Sequence, residues 1–396
     1  MDWIIDGISV FVVSLLLTGI IIPQILLIAF RKKLFDVPDE RKIHKGAVPR
    51  LGGISFMPAI IFSLCFVSGM KRLFNPGVES LFGSVFSTQA DFHVLCFGLC
   101  ALMMMYLIGM ADDLIGVKYR AKFIGQIIAA VFLAAAGIRL VSLHGMLGFE
   151  EINVVVSYLM SIVLVVYIIN ALNLIDGIDG LASGLGGIAM IFYAIAFYML
   201  GSPQLSLLAL AGLGTLVPFF YYNVFGNPLK QKKIFMGDTG ALTIGLLLAF
   251  MSMAMTRVPF DSVYSTNIMV LAFSPIAIPC LDVLRVFAHR ILRGHSPFLP
   301  DRVHIHHKLL ALGIPQRPAM ITILLLASLL ILVNIMLSHI MGVFMVLVCD
   351  LVLWVTFNWA LTRAIRRRQT RLGISGGYDR IPLPSPVLPH TRKMIQ

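Results

Sequence analysis

Residues 154–180 read VVVSYLMSIVLVVYIINALNLIDGIDG. The first part, Val154–Leu172, contains no charged side chain, and it is long enough to cross the hydrocarbon core of a bilayer as a helix, which takes roughly 17–25 apolar residues. The chain then becomes polar at once, with Asp176-Gly177 and Asp179-Gly180 in quick succession. This stretch predicts a membrane-spanning helix whose end carries carboxylates and glycine-rich backbone.

Apolar runs of the same kind recur along the chain. Its 396 residues are 59% hydrophobic and 13% charged, and this composition excludes a soluble globular domain, which needs more charged surface. Eleven runs are predicted to span the membrane, near Ile4–Phe30, Gly53–Met70, Val94–Met110, Phe123–Val141, Val154–Leu172, Gly184–Leu200, Leu205–Val224, Thr239–Met255, Ile268–Val286, Ile321–Ser338 and Val343–Leu361. The expected fold is an all-α polytopic membrane helix bundle of about eleven transmembrane helices over residues 1–362, followed by a basic cytoplasmic tail over residues 363–396.

The distribution of positive charge predicts the orientation of this bundle. The formal net charge is +12, and in so apolar a chain the excess indicates loops that face anionic lipid, not a nucleic-acid partner. With the N-terminus outside, 27 of the 31 Lys and Arg residues lie on the cytoplasmic side. The opposite orientation would place those 27 outside, so we expect an outside N-terminus and a cytoplasmic C-terminus.

Four polar segments lie on that same predicted cytoplasmic side. They contain Asp112-Asp113; then Asn170, Asn173, Asp176 and Asp179; then Asn223, Lys232, Lys233 and Asp238; and finally Asp301-Arg302 with His304, His306 and His307. Acidic residues at a membrane boundary are costly unless they are paired or bind a cation, so they are functional candidates. One such aspartate could simply be a helix cap or the partner of a lysine. Five aspartates on one side beside two glycine-rich turns favour a ligand site; they are Asp112, Asp113, Asp176, Asp179 and Asp238.

The chemistry of these side chains indicates which ligand. Carboxylates from three loops, with lysines and arginines nearby, are typical of a site in which Mg²⁺ bridges phosphates and are not typical of a zinc site. The three histidines could form a zinc site, but the His-Glu-x-x-His pattern is absent. Next to Arg302 they are more typical of a loop that binds a diphosphate, and a solvated basic loop is the alternative interpretation.

Several motifs follow one another along the chain. They are Asp39-Glu40-Arg41-Lys42-Ile43-His44, Pro49-Arg50-Leu51-Gly52-Gly53, Asp112-Asp113 with Lys122 and Gln126, Asn170-Ala171-Leu172-Asn173-Leu174-Ile175-Asp176-Gly177-Ile178-Asp179-Gly180, Asn223, Phe235-Met236-Gly237-Asp238-Thr239-Gly240, and Arg302 with His304-Ile305-His306-His307. As an ordered set over about residues 4–320, they resemble the polyprenyl-phosphate N-acetylhexosamine-1-phosphate transferases. The resemblance implies a helical bundle with its active site at the cytoplasmic ends of the helices.

The resemblance also implies roles for the matching residues. Asp238 and Asp113 would bind Mg²⁺, for which Mn²⁺ can substitute, and Asp112 with Asp113 would face the polyprenyl phosphate. The residues implied in catalysis are Asp112, Asp113, Asp238, His304, His306 and His307. The residues implied in substrate binding are Lys45, Lys122, Asn173, Asp176, Asp179, Asn223, Phe235 and Arg302. Among these, Phe235 would stack on uracil, while Lys45 and Asp179 would lie around the nucleoside.

The expected function is transfer of a sugar-1-phosphate, GlcNAc-1-phosphate in particular, from a UDP-sugar to undecaprenyl phosphate, which releases UMP and starts a lipid-linked surface glycan. Attack could be direct or could pass through a covalent aspartyl intermediate. The same chemistry with another UDP-N-acetylhexosamine or with UDP-MurNAc-pentapeptide is the alternative within the family. A membrane-bound metal-dependent phosphatase and a transporter are the alternatives from other classes. The expected location is the bacterial cytoplasmic membrane, and the sequence is compatible with a homodimer.

The histidine segment discriminates between the donors. The motif that resembles this segment in the peptidoglycan branch of the family has three consecutive histidines, whereas Ile305 separates His304 from His306 and His307 in this chain. One inserted residue rotates all later residues of a helix by about 100°, so the two patterns cannot present the same donors to one ligand. This difference favours an N-acetylhexosamine donor over UDP-MurNAc-pentapeptide.

Overall fold

A computed structural model describes residues 2–34, 48–74, 89–143, 146, 152–257, 267–294, 296 and 303–373. Every α-helix in these ranges is numbered in chain order: α1 (Asp2–Lys32), α2 (Phe56–Phe74), α3 (Gln89–Ile115), α4 (Tyr119–Ala135), α5 (Val154–Ile175), α6 (Leu181–Met199), α7 (Pro203–Val224), α8 (Gly237–Met255), α9 (Ile268–Phe273), α10 (Ala277–Leu292), α11 (Ile305–Ala311), α12 (Gln316–Ser338) and α13 (Val343–Leu372). Short 3-10 helices cover Gly52–Ser55, Pro228–Lys230 and Ser274–Ile276. The prediction of an all-α polytopic bundle is confirmed.

Ten helical segments within the described ranges are long and apolar enough to cross a membrane, and α9, the following 3-10 turn and α10 together form one of them. The predicted span that is not among these ten, near Phe123–Val141, corresponds to α4. This helix has 17 residues and a length of about 25 Å. The predicted end at Val141 is wrong, because α4 ends in a Schellman motif. Gly137 has φ +84°, its N–H donates to the Ala134 carbonyl, and the Ile138 N–H donates to the Leu133 carbonyl.

The other large difference concerns the last helix. The sequence predicts a span that ends at Leu361, whereas α13 continues without a break to Leu372 and is closed by Gly373 at φ +66°. Arginine, glutamine, alanine and leucine between these points are good helix formers, and no glycine or proline interrupts them before Gly373. The first part of the basic tail is therefore a helical extension of the bundle.

Helix α8 is at the centre of the structure. All of its residues from Thr239 to Met255 are buried, as expected for a helix that is apolar all round. Helices α2, α3, α5, α6, α7 and α9 contact it. Helices α1, α12 and α13 lie further out and expose apolar side chains such as Ile20, Leu325 and Val352, which is the surface expected toward lipid tails.

The segment before α2 fixes the entrance of α8. Phe235 N–H donates to the Pro49 carbonyl at 2.9 Å, and the N–H groups of Gly52 and Gly53 donate to the carbonyls of Phe235 and Met236 at 3.0 and 2.9 Å. A Cβ at Gly53 would lie 2.0 Å from the Gly240 nitrogen. Glycine is therefore required here because backbone meets backbone, the close approach that small residues permit between membrane helices.

We expect Gly53→Ala to lower the free energy of unfolding by roughly 1–3 kcal/mol, because the overpacked backbone of α8 cannot move aside as a flexible side chain would. Thermal unfolding of the purified protein in detergent measures this loss. The matched control is Gly69→Ala in α2, where a Cβ meets nothing within 4 Å. Equal melting temperatures for the two variants would contradict the proposed close approach.

Candidate active site

Asp113 caps the N-terminus of α8. Its carboxylate accepts hydrogen bonds from the Asp238 N–H and the Thr239 N–H, both at 2.8 Å, and from the Thr239 hydroxyl at 2.5 Å. A carboxylate is favoured at this end of a helix because the first N–H groups have no partner within the helix and the helix dipole is positive there. Asp113 therefore joins the end of α3 to the start of α8.

The neighbouring Asp112 points to a different set of partners. Its carboxylate accepts from the Val117 N–H at 2.6 Å and from the Lys122 ammonium at 3.0 Å. Lys122 also contacts the Asp238 carboxylate at 3.4 Å, and the carboxylates of Asp112 and Asp238 interact with each other. The Asn173 amide donates to Asp238 at 2.8 Å. Four predicted residues from α3, α4, α5 and α8 thus form one cluster, which is named the aspartate cluster below.

The aspartate cluster has the chemistry of a site for a hard cation. Mg²⁺ in proteins is commonly held by one or two carboxylates together with water and substrate phosphates, and Asp112 and Asp238 offer that number. Within the described ranges, no group of three or more His, Cys, Asp or Glu residues forms a metal site. The zinc alternative for the histidines therefore finds no support in the described part of the chain.

The glycine-rich turn after α5 lies next to this cluster. Asp179 pairs with the buried Lys233 at 2.5 Å, and Lys233 lies over the ring of Phe235 at 6.0 Å from its centroid. Asn223 is buried and bonds only to backbone in the contacts described, with its oxygen accepting from the Gly180 N–H and its amide donating to the Ile234 carbonyl. It holds two loops together and does not contact Asp238 in this arrangement.

The Asp176 side chain keeps some exposed surface, but protein atoms surround its carboxyl group closely. This partial removal of water, together with the nearby charges of Asp179 and Asp238, raises the pKa of the Asp176 carboxyl to about 7, although Arg50 acts in the opposite direction. A positive ligand beside these carboxylates would favour the ionised form of Asp176.

The histidine segment begins α11, with His304 just before the helix and His306 and His307 in its first turn. His306 packs against the turn after α5, since a Cβ at Gly177 would lie 2.2 Å from its Nε2 atom. Burial lowers the pKa of His306 well below its ordinary value, with the neighbouring His307 and His304 acting in the same direction. Both ring nitrogens are buried, and neither forms a hydrogen bond within the described residues, so the lowered pKa leaves His306 neutral.

A residue that the sequence analysis did not select holds this segment in place. Asp282 of α10 is fully buried. It contacts His304 Nδ1 at 2.8 Å, accepts from the Ile305 N–H, and pairs with Arg285 at 2.8 Å. Arg285 also donates to the Val303 carbonyl at 2.6 Å. A lone carboxylate within an apolar run is a functional candidate, and this criterion would have identified Asp282 from the sequence.

The structure thus brings together most of the residues that the sequence predicted. Asp112, Lys122, Asn173 and Asp238 form the aspartate cluster, and Asp176, Asp179, Phe235, His304, His306 and His307 lie on the adjoining segments. Asp113 and Asn223 contact backbone at the base of these segments. Lys45, Asp301 and Arg302 lie outside the described residues. Asp350, to which no role was assigned, accepts from the Asn334 amide at 2.9 Å within the membrane part of the bundle.

The two adjacent aspartates should differ in their effect on stability. We expect Asp113→Ala to lower the free energy of unfolding by roughly 1–3 kcal/mol, because two N–H groups of α8 and the Thr239 hydroxyl lose their acceptor. Asp112→Ala should cost less, since its partners are the Val117 N–H and the partly exposed Lys122. Thermal unfolding of both variants measures the difference, and a larger loss for Asp112→Ala would contradict the capping role.

Asp282 should control the order of the histidine segment. We expect Asp282→Asn to increase hydrogen exchange of the amides of residues 303–312, because charge-assisted hydrogen bonds worth roughly 1.5–3 kcal/mol are weakened. Mass spectrometry of exchanged peptides measures this. The control is Asp350→Asn, which removes another buried carboxylate that is bonded to α12 instead of α11. Increased exchange of residues 303–312 in both variants would contradict a specific role for Asp282.

Comparison with known proteins agrees with this geometry. Residues 95–256 match the family described as glycosyl transferase family 4. The undecaprenyl-phosphate alpha-N-acetylglucosaminyl 1-phosphate transferase of Salmonella typhi is 28% identical over 355 residues, which cover 87% of this chain and 90% of the relative. The decaprenyl-phosphate N-acetylglucosaminephosphotransferase of Mycolicibacterium smegmatis is 30% identical over 343 residues, which cover 81% and 78%. With the ordered motifs gathered at one end of the helix bundle, the chain belongs to glycosyl transferase family 4, among the polyprenyl-phosphate N-acetylhexosamine-1-phosphate transferases.

Proposed function

We propose that the protein transfers GlcNAc-1-phosphate from UDP-GlcNAc to undecaprenyl phosphate and releases UMP, with Mg²⁺ as its cofactor. The observation that carries this proposal is the aspartate cluster, in which Asp112 and Asp238 share Lys122 at the ends of separate membrane helices. A site at the end of such helices lies where a lipid phosphate and a soluble nucleotide can meet. The names of the relatives support both the sugar and the lipid acceptor.

In this proposal an oxygen of the lipid phosphate attacks the β-phosphorus of UDP-GlcNAc, and the bond from that phosphorus to the oxygen of UMP breaks. Mg²⁺ at Asp238 and Asp112 would supply positive charge to the diphosphate. Lys122 offsets one of the two negative charges of Asp112 and Asp238 and would contact a phosphate oxygen. Little base catalysis is needed, because the second pKa of a phosphate ester is near 6 and the nucleophile is already ionised at neutral pH.

The contacts of Asp113 change one part of the expected metal site. Its two oxygens accept three hydrogen bonds from α8, whereas Asp112 faces Asp238 and Lys122. We therefore favour Asp112 over Asp113 as the second carboxylate beside Mg²⁺. Asp113 would act as a positioning residue, since the helix that it caps carries Asp238.

The remaining segments would bind the rest of the donor. Phe235 offers a ring to the uracil, with Lys233 and Asp179 beside it. His306 packs against the turn at Gly177, and the less buried His307 beside it would donate a hydrogen bond to the diphosphate or the sugar. His304, fixed by Asp282, sets the direction in which α11 begins. With these residues binding and orienting the donor, positioning and electrostatic stabilisation would be the main sources of catalysis.

We place the site at the cytoplasmic face of the bacterial cytoplasmic membrane, with the N-terminus outside. Helices α3 and α5 end at the site and α8 begins there, and the basic segments around residues 118–122 and 230–233 lie at the same end. Cytoplasmic loops concentrate such charges, and UDP-sugars are made in the cytoplasm. Inside-out membrane vesicles should therefore turn over added UDP-GlcNAc without permeabilisation, whereas right-side-out vesicles should not.

The decisive experiment incubates the purified protein with labelled UDP-GlcNAc, undecaprenyl phosphate and Mg²⁺ and measures UMP and labelled lipid. We expect UMP release that requires the lipid, stops with EDTA, and falls on the order of 10²-fold in Asp238→Asn, which loses a carboxylate charge beside the cation. We expect no turnover when UDP-MurNAc-pentapeptide replaces UDP-GlcNAc as the donor.

Each other result has a distinct meaning. Lipid-independent release of UMP would indicate a phosphatase, and binding without turnover would favour a transporter. Faster transfer from the pentapeptide donor would contradict the assignment of the sugar. A near-normal rate for a correctly folded Asp238→Asn variant would contradict the metal site.

A further inference from the structure

The C-terminal part of α13 extends beyond the length that a bilayer requires. The helix has 30 residues and a length of about 45 Å, since each residue adds 1.5 Å. The hydrocarbon core is about 30 Å thick, so roughly the last ten residues lie outside it. Trp359, which is 60% exposed, marks this level, because tryptophan is enriched at the interface between lipid tails and headgroups.

One face of this extension is fixed to the histidine helix. Lys308 of α11 is buried and donates to Asn358 Oδ1 and to Thr362 Oγ1, both at 3.1 Å. Burial, together with the nearby charge of Arg285, lowers the pKa of Lys308 to about 7. Arg368 donates to the Ala311 carbonyl at 2.6 Å. The extension is therefore a rigid part of the fold that adjoins the candidate active site.

The other face of the extension carries unbalanced positive charge. Arg363, Arg366, Arg367 and Arg371 are exposed, and residues 351–373 contain no aspartate or glutamate. Arg363 lies over the ring of Trp359 at 5.2 Å from its centroid, which places the first of these arginines at the interface. The next two follow within one helical turn, a rise of about 6 Å, which is within reach of lipid headgroups for a side chain as long as arginine.

We propose that this arginine face, defined as Arg363, Arg366, Arg367 and Arg371, binds the headgroups of anionic phospholipids in the surrounding leaflet. Each arginine near an anionic membrane surface strengthens its attraction by roughly fivefold. Guanidinium groups also form paired hydrogen bonds with phosphate oxygens. The same helix holds α11 on its opposite face, so bound lipid would stabilise the side of the bundle on which the histidine segment lies.

The test measures lipid selectivity beside Trp359 by fluorescence quenching. The full-length protein with Trp3→Phe retains Trp354, which is buried, and Trp359, which is exposed. It is reconstituted into mixed bilayers of phosphatidylglycerol and phosphatidylcholine in which one lipid or the other carries brominated tails. We expect brominated phosphatidylglycerol to quench Trp359 more than its mole fraction predicts, with a selectivity of at least about fivefold, which is the contribution of a single arginine.

Two matched variants identify the charges that are responsible. Arg366→Gln with Arg367→Gln should remove most of the selectivity, whereas Arg72→Gln with Arg257→Gln should preserve it. The control arginines are also exposed. Arg72 lies in the last turn of α2 and Arg257 follows the end of α8, at the helix ends away from the candidate site. High salt should weaken the selectivity of the parent protein, because it screens exposed charges. The measurement at high salt uses the parent protein and therefore does not depend on the folding of any arginine variant.

Equal quenching by the two brominated lipids in the parent protein would overturn the proposal. Equal loss of selectivity in both double variants would also overturn it, because net charge and not the arginine face would then be responsible. The measurement requires no turnover. Its outcome is therefore independent of the proposed transferase activity and goes beyond it.

Discussion

The contact between Asp113 and the first N–H groups of α8 is the interaction on which the candidate site depends. Helix α8 is buried along its length and carries Asp238 in its first turn. Without an acceptor, the N–H groups at this end would be unsatisfied in an environment with little water. The carboxylate of Asp113 satisfies two of them and thereby fixes the distance between the end of α3 and the start of α8. Asp112, the preceding residue, is consequently held beside Asp238.

Glycines in neighbouring segments allow their backbones to approach the first turn of α8 closely. A Cβ at Gly109 of α3 would lie 2.5 Å from the Thr239 Cα atom, and one at Gly53 would meet the backbone of Gly240. Backbones that approach this closely place polar groups from different helices within hydrogen-bonding distance. The site is therefore built at the point where helix ends converge, and its carboxylates are kept apart from the lipid tails by the bundle itself.

The histidine segment depends on a second set of buried polar contacts. Asp282 of α10 contacts His304 just before α11. Lys308 within α11 donates hydrogen bonds to Asn358 and Thr362 of α13. A buried charge is costly unless hydrogen bonds satisfy it, so these contacts strongly favour one position for α11. Contacts from α10 on one side and α13 on the other thus determine where His306 of α11 meets the turn at Gly177.

The sequence by itself determined the class of the protein and the approximate position of most spans, and it predicted that the polar motifs lie at one end of the bundle, because hydropathy and charge are read locally along a chain. It also identified most residues that gather at the site. Only the tertiary structure decided that Asp113 caps α8 while Asp112 faces Asp238, since consecutive residues on a helix point about 100° apart and packing sets which of them meets α8. In the same way, the backbone contacts of Asn223 and the partnership of Asp282 with His304 depend on contacts between separate segments, which no local pattern encodes.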